Sequence, residues 1–147
     1  HLLPGKGQAT WSVLYVDAGQ HIVSGGADRK IRMWNATSGQ PVVAIASTPD
    51  WATSLIALPD SSLIAAGCLN GEIVLLDYRT LLPVQNIKAA SSGIWAMALS
   101  PNGKKLALAT RRNGLILIDD LSSWYKAGGG AASQAVSNLP PEPFAAE

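Results

Sequence analysis

The sequence predicts an all-β fold, a partial β-propeller of about three four-stranded antiparallel blades in which the third blade is incomplete. Two observations predict it. The first is an internal repeat: aligning Trp11 with Trp95 gives a match that runs without a gap to Ile22 and Leu106, an offset of 84 residues, or two periods of 42. A middle copy lies between them, with Asn70-Gly71-Glu72-Ile73 standing 42 residues after Asp28 and 43 before Asn113-Gly114-Leu115-Ile116. The second observation is a shared internal grammar, four short apolar segments per period separated by turn residues, which describes a propeller blade.

Each copy opens on an apolar run, at residues 11–16, 51–58 and 94–99. A turn follows, Asp17-Ala18-Gly19, Pro59-Asp60-Ser61 or Pro101-Asn102-Gly103, where proline presets φ and glycine or asparagine accepts positive φ. The second strand is expected around Ile22-Val23, Leu63-Ile64-Ala65 and Leu106-Ala107-Leu108. The Asn-Gly pairs at 70 and 113 fit type I′ hairpins, with positive φ at both central residues. Third strands then hold Ile31 and Met33, residues 73–76 and residues 116–118, and fourth strands are expected at 42–46 and 84–87 in the first two copies alone. The predicted organisation is an entry loop at 1–10, blades at 11–50, 51–93 and 94–126, and a Gly/Ala/Pro-rich tail at 127–147.

The segment Ser24-Gly25-Gly26-Ala27-Asp28-Arg29-Lys30-Ile31-Arg32-Met33-Trp34-Asn35 resembles the signature of the WD-repeat family, whose propeller blades hold a Ser, an Asp and a Trp at the places of Ser24, Asp28 and Trp34. Asn35 replaces the family's final Asp, and Gly7-Gln8 stands where its Gly-His dipeptide belongs. The histidine of the family's Ser-His-Asp-Trp hydrogen-bond network is therefore absent. The second copy carries Ala66, Asn70 and Leu76 at the three signature places and the third carries Ala109, Asn113 and Asp119, so the resemblance is degenerate beyond the first copy. It spans about residues 7–120 and implies a propeller with structural roles for Ser24, Asp28 and Trp34. Function is a separate question, because a fold hosts many.

Composition agrees with stacked, covered strands: 48% of residues are hydrophobic and 14% charged. No apolar run reaches the roughly 18 residues that span a bilayer, no secretory leader opens the chain, and no membrane partner is expected. A net charge of +1 does not announce a nucleic-acid or membrane binder. A lone cysteine, Cys68, forms no internal disulfide, which points to a cytoplasmic, reduced compartment.

Candidate chemistry is sparse. His1 and His21 are the two histidines and no pair of residues has metal-ligand spacing, so neither a metal nor a cofactor is expected. His21 reads as a turn residue, and Ser24 as a hydrogen-bonding group rather than a nucleophile. Gly25-Gly26 lacks the Lys-Ser or Lys-Thr ending of a phosphate loop. Asp119 and Asp120, read as adjacent strand residues, would face opposite ways and share no substrate atom. Cys68 is expected as a small buried thiol at a strand end. No catalytic residue is predicted.

What remains is surface. The resemblance implies that the loops joining the fourth strand of one blade to the first of the next, and the second strand to the third, share one rim, which here would carry Arg29, Lys30, Trp51, Leu69, Arg111 and Arg112. Arginine and tryptophan are the residues most enriched in interface hot spots. The expected function is a non-catalytic scaffold for protein partners in a larger assembly. The alternatives are a propeller that binds RNA or a phosphorylated ligand in a ribonucleoprotein, and a propeller enzyme whose site lies outside this segment. Three blades leave apolar end faces, to be covered by further blades, by self-association or by another chain, and Leu139 and Phe144 give the tail a docking reading of its own.

Overall fold

The computed structural model describes residues 8–127. Three antiparallel sheets follow one another along the chain. The first pairs β1 (Thr10–Val16), β2 (His21–Gly26), β3 (Lys30–Asn35) and β4 (Pro41–Ser47) in chain order. The second repeats the arrangement with β5 (Ala52–Ala57), β6 (Leu63–Cys68), β7 (Glu72–Asp77) and β8 (Leu82–Lys88). The third holds β9 (Ile94–Leu99), β10 (Leu106–Thr110) and β11 (Leu115–Ile118), and then a short helix, α1 (Ser122–Ala127), in place of a fourth strand. The result is a partial propeller with an incomplete third blade.

The sheets stack, and the core consists of the two layers between them. One layer joins Val23, Ile31 and Met33 of the first sheet to Leu55, Ile64 and Leu76 of the second. The other joins Leu63, Ile73 and Leu75 of the second sheet to Leu106, Leu108 and Ile116 of the third. All six residues of β6 are buried, since this strand has a sheet on each side. At roughly 25 cal/mol per Å² of apolar area, these two layers are the main favourable term holding the blades together.

Each sheet repeats the same irregularity. The pairing of the first and second strands skips one residue, between Thr10 and Ser12, between Ala52 and Ser54, and at Trp95 in the third sheet. Trp11, Thr53 and Trp95 are thus bulge residues at 42-residue intervals.

Helix α1 closes the lower end of the second layer. Leu121 and Trp124 are buried in it, and Tyr125 Oη donates to Gly103 O at 2.8 Å. Asp120 starts the helix: its carboxylate accepts from Ser122 N at 2.8 Å, a capping bond to an otherwise orphan N–H. Asp119 and Asp120 therefore lie in a loop and not, as the sequence reading had them, within a strand. Asp119 pairs with Lys105 at 3.1 Å.

The hairpin turns differ from expectation. Gly71 and Gly114 have positive φ, but Asn70 and Asn113 do not, so these are not type I′ turns. At the second hairpin Gly71 N donates to Cys68 O at 3.0 Å, and Asn70 Oδ1 accepts from Glu72 N at 3.1 Å. The asparagine braces the turn with its side chain and the glycine alone takes the left-handed conformation. In the first blade Arg29 holds the place of Gly71, with φ of 60°.

Thr10, assigned to an entry loop by the sequence, is already in β1, whereas Trp51 precedes β5. Residues 1–7 and the tail from 128 to 147, including Leu139 and Phe144, lie outside the described residues.

Candidate interaction rim

The signature residues of the first blade meet on its outer face. Trp34 Nε1 donates to Ser24 Oγ at 2.9 Å, joining β3 to β2, and the indole is buried. Asp28 Oδ1 accepts from Lys30 N at 3.1 Å while Oδ2 pairs with the Arg32 guanidinium at 2.6 Å. Arg32 thereby supplies the charge partner that a histidine would otherwise give this carboxylate. Gln8, at the histidine's place, lines a shallow notch with Ser24, Asp28, Arg32 and Trp34.

The profile described as WD domain, G-beta repeat, matches residues 1–35, the part of the chain that includes this constellation. The match to the WD-repeat family model is thus confined to the first blade. Over 112 residues it is 29% identical to echinoderm microtubule-associated protein-like 2 of Rattus norvegicus, covering 76% of this chain and 17% of that protein. It is 27% identical over 118 residues to nuclear pore complex protein nup43 of Dictyostelium discoideum, covering 78% of this chain and 28% of that one. A third similarity, 26% over 83 residues, is to the human kinesin-like protein KIF21A, covering 56% of this chain and 5% of that one. The chain thus spans well under a third of the length of these relatives.

The loops joining the second to the third strands lie beside the loops joining one blade to the next. Four backbone contacts fix the adjacency. Thr48 N donates to Arg29 O at 3.0 Å, Leu69 N to Trp51 O at 3.0 Å, Ala90 N to Gly71 O at 3.0 Å and Arg111 N to Gly93 O at 2.7 Å. The six residues singled out by the sequence therefore sit at one end of the sheets. Arg29, Arg111 and Arg112 are exposed, Lys30 and Leu69 are half-buried, and Lys30 Nζ donates to Ser47 Oγ at 2.6 Å.

Trp51 is partly exposed and stacks on Trp11, with ring centroids 6.2 Å apart and planes 19° apart. Sequence reasoning placed Trp11 only in a strand and missed this pairing. The signal was its bulge position, readable only once the strand register is known. Lys88, at the end of β8, was also missed. Its ammonium bonds Asn70 O, which brings a fifth cation without a carboxylate partner to this end of the described residues.

None of Arg29, Lys30, Lys88, Arg111 and Arg112 pairs with a carboxylate among the described residues. The carboxylates at this end are Asp28, already matched by Arg32, with Asp50 and Glu72. At the opposite end Asp17, Asp60, Asp77, Asp119 and Asp120 outnumber the cations Arg79, Lys104, Lys105 and Lys126. The charge is divided between two rims although the chain as a whole is nearly neutral.

Other candidates are structural in geometry. His21 Nδ1 lies 3.2 Å from Asp17 Oδ2 on the acidic rim. Cys68 is fully buried, and burial pushes its thiol up to about 12, so it stays protonated and unreactive at neutral pH. Among the described residues no three His, Cys, Asp or Glu side chains gather as a metal site would require, and no helix is long and apolar enough to cross a membrane.

Proposed function

We propose that this chain is a non-catalytic interaction scaffold within a larger assembly, and that it receives acidic protein segments on the rim carrying Arg29, Lys30, Trp51, Lys88, Arg111 and Arg112. The observation that carries this reading is a row of cations without carboxylate partners beside a partly exposed tryptophan. Guanidinium groups form paired hydrogen bonds to carboxylates, and an adjacent indole supplies apolar contact area. The backbone beneath is already fixed: Arg111 N is bonded to Gly93 O, and Arg112 N donates to Ser92 Oγ at 3.1 Å. Side chains shown from a pinned loop lose little backbone freedom on binding.

Two relatives support the assembly reading by their names, one a microtubule-associated protein-like protein and one a nuclear pore complex protein. A cytoplasmic location fits the inert, buried Cys68 and the absence of any need for disulfides.

A fluorescein-labelled glutamate-rich peptide followed by anisotropy tests the reading. Arg111→Glu combined with Arg112→Glu is expected to abolish its binding while leaving the melting temperature unchanged. Binding equal to that of the unmutated chain would overturn the rim assignment, and a large fall in melting temperature would make these arginines structural. An RNA ligand is the second reading, favoured by the same cations. It predicts that poly-U binds more tightly than the peptide, with affinity falling steeply as salt rises.

A further inference from the structure

Trp11, Thr53 and Trp95 hold one place in the repeat, and each is the residue that the strand register skips. A bulge re-aims the side chain it carries. Where a following blade is present, the re-aimed side chain reaches it. Trp11 stacks on Trp51, the residue immediately before β5. Thr53 Oγ1 donates to Ile94 O at the start of β9.

The next residue in each repeat makes a second forward contact. Ser12 Oγ accepts from Leu55 N at 2.9 Å, and Ser54 Oγ accepts from Met97 N at 3.0 Å. These two bonds stand 42 residues apart and fix each blade against the one that follows.

The third blade has the same forward face with none of the described residues stacked against it as a following sheet. Trp95 is 46% exposed, and Leu115 and Leu117, across β10 from it in the same sheet, are 64% and 41% exposed. Their counterparts Ile31 and Ile73, Met33 and Leu75, are buried under a following sheet. Ala96, at the place of Ser12 and Ser54, has no hydroxyl to offer.

We propose that the face centred on Trp95, Leu115 and Leu117 docks a further β-blade that carries a large apolar or aromatic side chain immediately before its first strand. The occupant is not the first blade of a second copy of this chain. Its chemistry follows from the interface the molecule builds between its first two blades, where the forward tryptophan stacks on Trp51. A second copy would bring Ala9 to that place, too small to stack on Trp95. It would also bring Val13, whose N–H points to the open edge of β1 by the register that leaves Leu55 N free for Ser12. Ala96 cannot accept from it, so docking would bury a backbone donor without a partner. Both forward contacts would be missing from a head-to-tail ring of this chain.

Light scattering on the full 147-residue chain over rising concentration, with hydroxyl-radical footprinting of Trp95 read by peptide mass spectrometry, tests this. The chain is expected to form no discrete closed oligomer, and Trp95 is expected to oxidise readily in the monomer. The paired substitution Ala9→Trp and Ala96→Ser installs both missing contacts at exposed positions. It is expected to produce a discrete self-associated species at least about tenfold tighter than any formed by the unmutated chain. Ala96→Ser alone gives a smaller shift in the same direction and serves if the pair lowers the melting temperature. A discrete oligomer of the unmutated chain with Trp95 protected would make a second copy the occupant and overturn the proposal. Protection of Trp95 in the monomer would assign the face to the chain's own remaining residues, and substituted chains no tighter than the original would remove the forward contacts as the basis of recognition.

Discussion

Leu75, opposite Ala65, and Leu117, opposite Ala107, hold the same place by strand register, one residue off the sequence alignment through the Asn-Gly pairs, and one is wholly buried while the other is 41% exposed. Neither residue type nor strand register separates them, since both sit in the third strand of their sheet with side chains turned toward the following blade. The difference is the neighbour. Within a stacked array a repeat position has no burial of its own, and its contribution depends on the blade beyond it. The middle sheet, β5 to β8, is therefore the stable heart of the described residues, and the outer sheets are each held from one side.

The largest expected effect tests that contrast directly. Leu75→Ala should lower stability by about 3 kcal/mol, as a buried leucine truncation does, while Leu117→Ala should cost under about 0.5 kcal/mol, both read from urea denaturation. Equal losses would mean that the third blade is covered after all. The turns give the next contrast. At Gly71 a Cβ would lie 2.2 Å from Ala90 O with φ at +86°, so Gly71→Ala should cost about 2 kcal/mol or more. Arg29 holds the same place in the outer blade with the same backbone hand, and Arg29→Gly should be neutral or stabilise by about 0.5 kcal/mol. A marked loss there would show that the Arg29 side chain carries packing.

Smaller again is the link between blades. Ser54→Ala leaves Met97 N without its acceptor, an expected loss of about 1–2 kcal/mol that should appear as weaker hydrogen-exchange protection in β9. A variant indistinguishable from the original chain would remove this bond from the account of blade register. The smallest effect is confined to alkaline solution. Burial raises the Cys68 thiol from 9.0 to about 12, so the folded state holds its proton where the unfolded chain has lost it. That contribution is fully present below pH 9 and is lost as pH rises toward 12. The difference in stability between the original chain and Cys68→Ala should therefore narrow over that range. A constant difference would mean the thiol reaches solvent.

Much of this architecture was legible in the residues. The 42-residue period survives because each blade repeats the same apolar places, and Val84 and Ile87 marked β8 as plainly as Trp34 marked the first blade. The shared end of the loops carrying Arg29, Lys30, Trp51, Leu69, Arg111 and Arg112 came from the family resemblance, position by position, and that these residues receive a partner is the proposal made above. The hidden parts depend on contacts between repeats. Nothing in the isolated Asn70-Gly71 pair says that the asparagine will brace the turn with its side chain instead of taking positive φ. Helix α1 is too short for a periodic signal, and only the Asp120 cap and the apolar Leu121 and Trp124 could have announced it. The aim of Trp11 and Trp95 depends on bulges that appear only when strands are paired.

Hydrogen exchange of the native chain, read by mass spectrometry strand by strand, tests the stacked-blade account most directly. The account predicts slowest exchange in β6 and β7, intermediate rates in β2 and β10, and fastest exchange in β1 and β11. Protection of β11 equal to that of β7 would contradict it, because the third blade would then be covered to the same depth as the second.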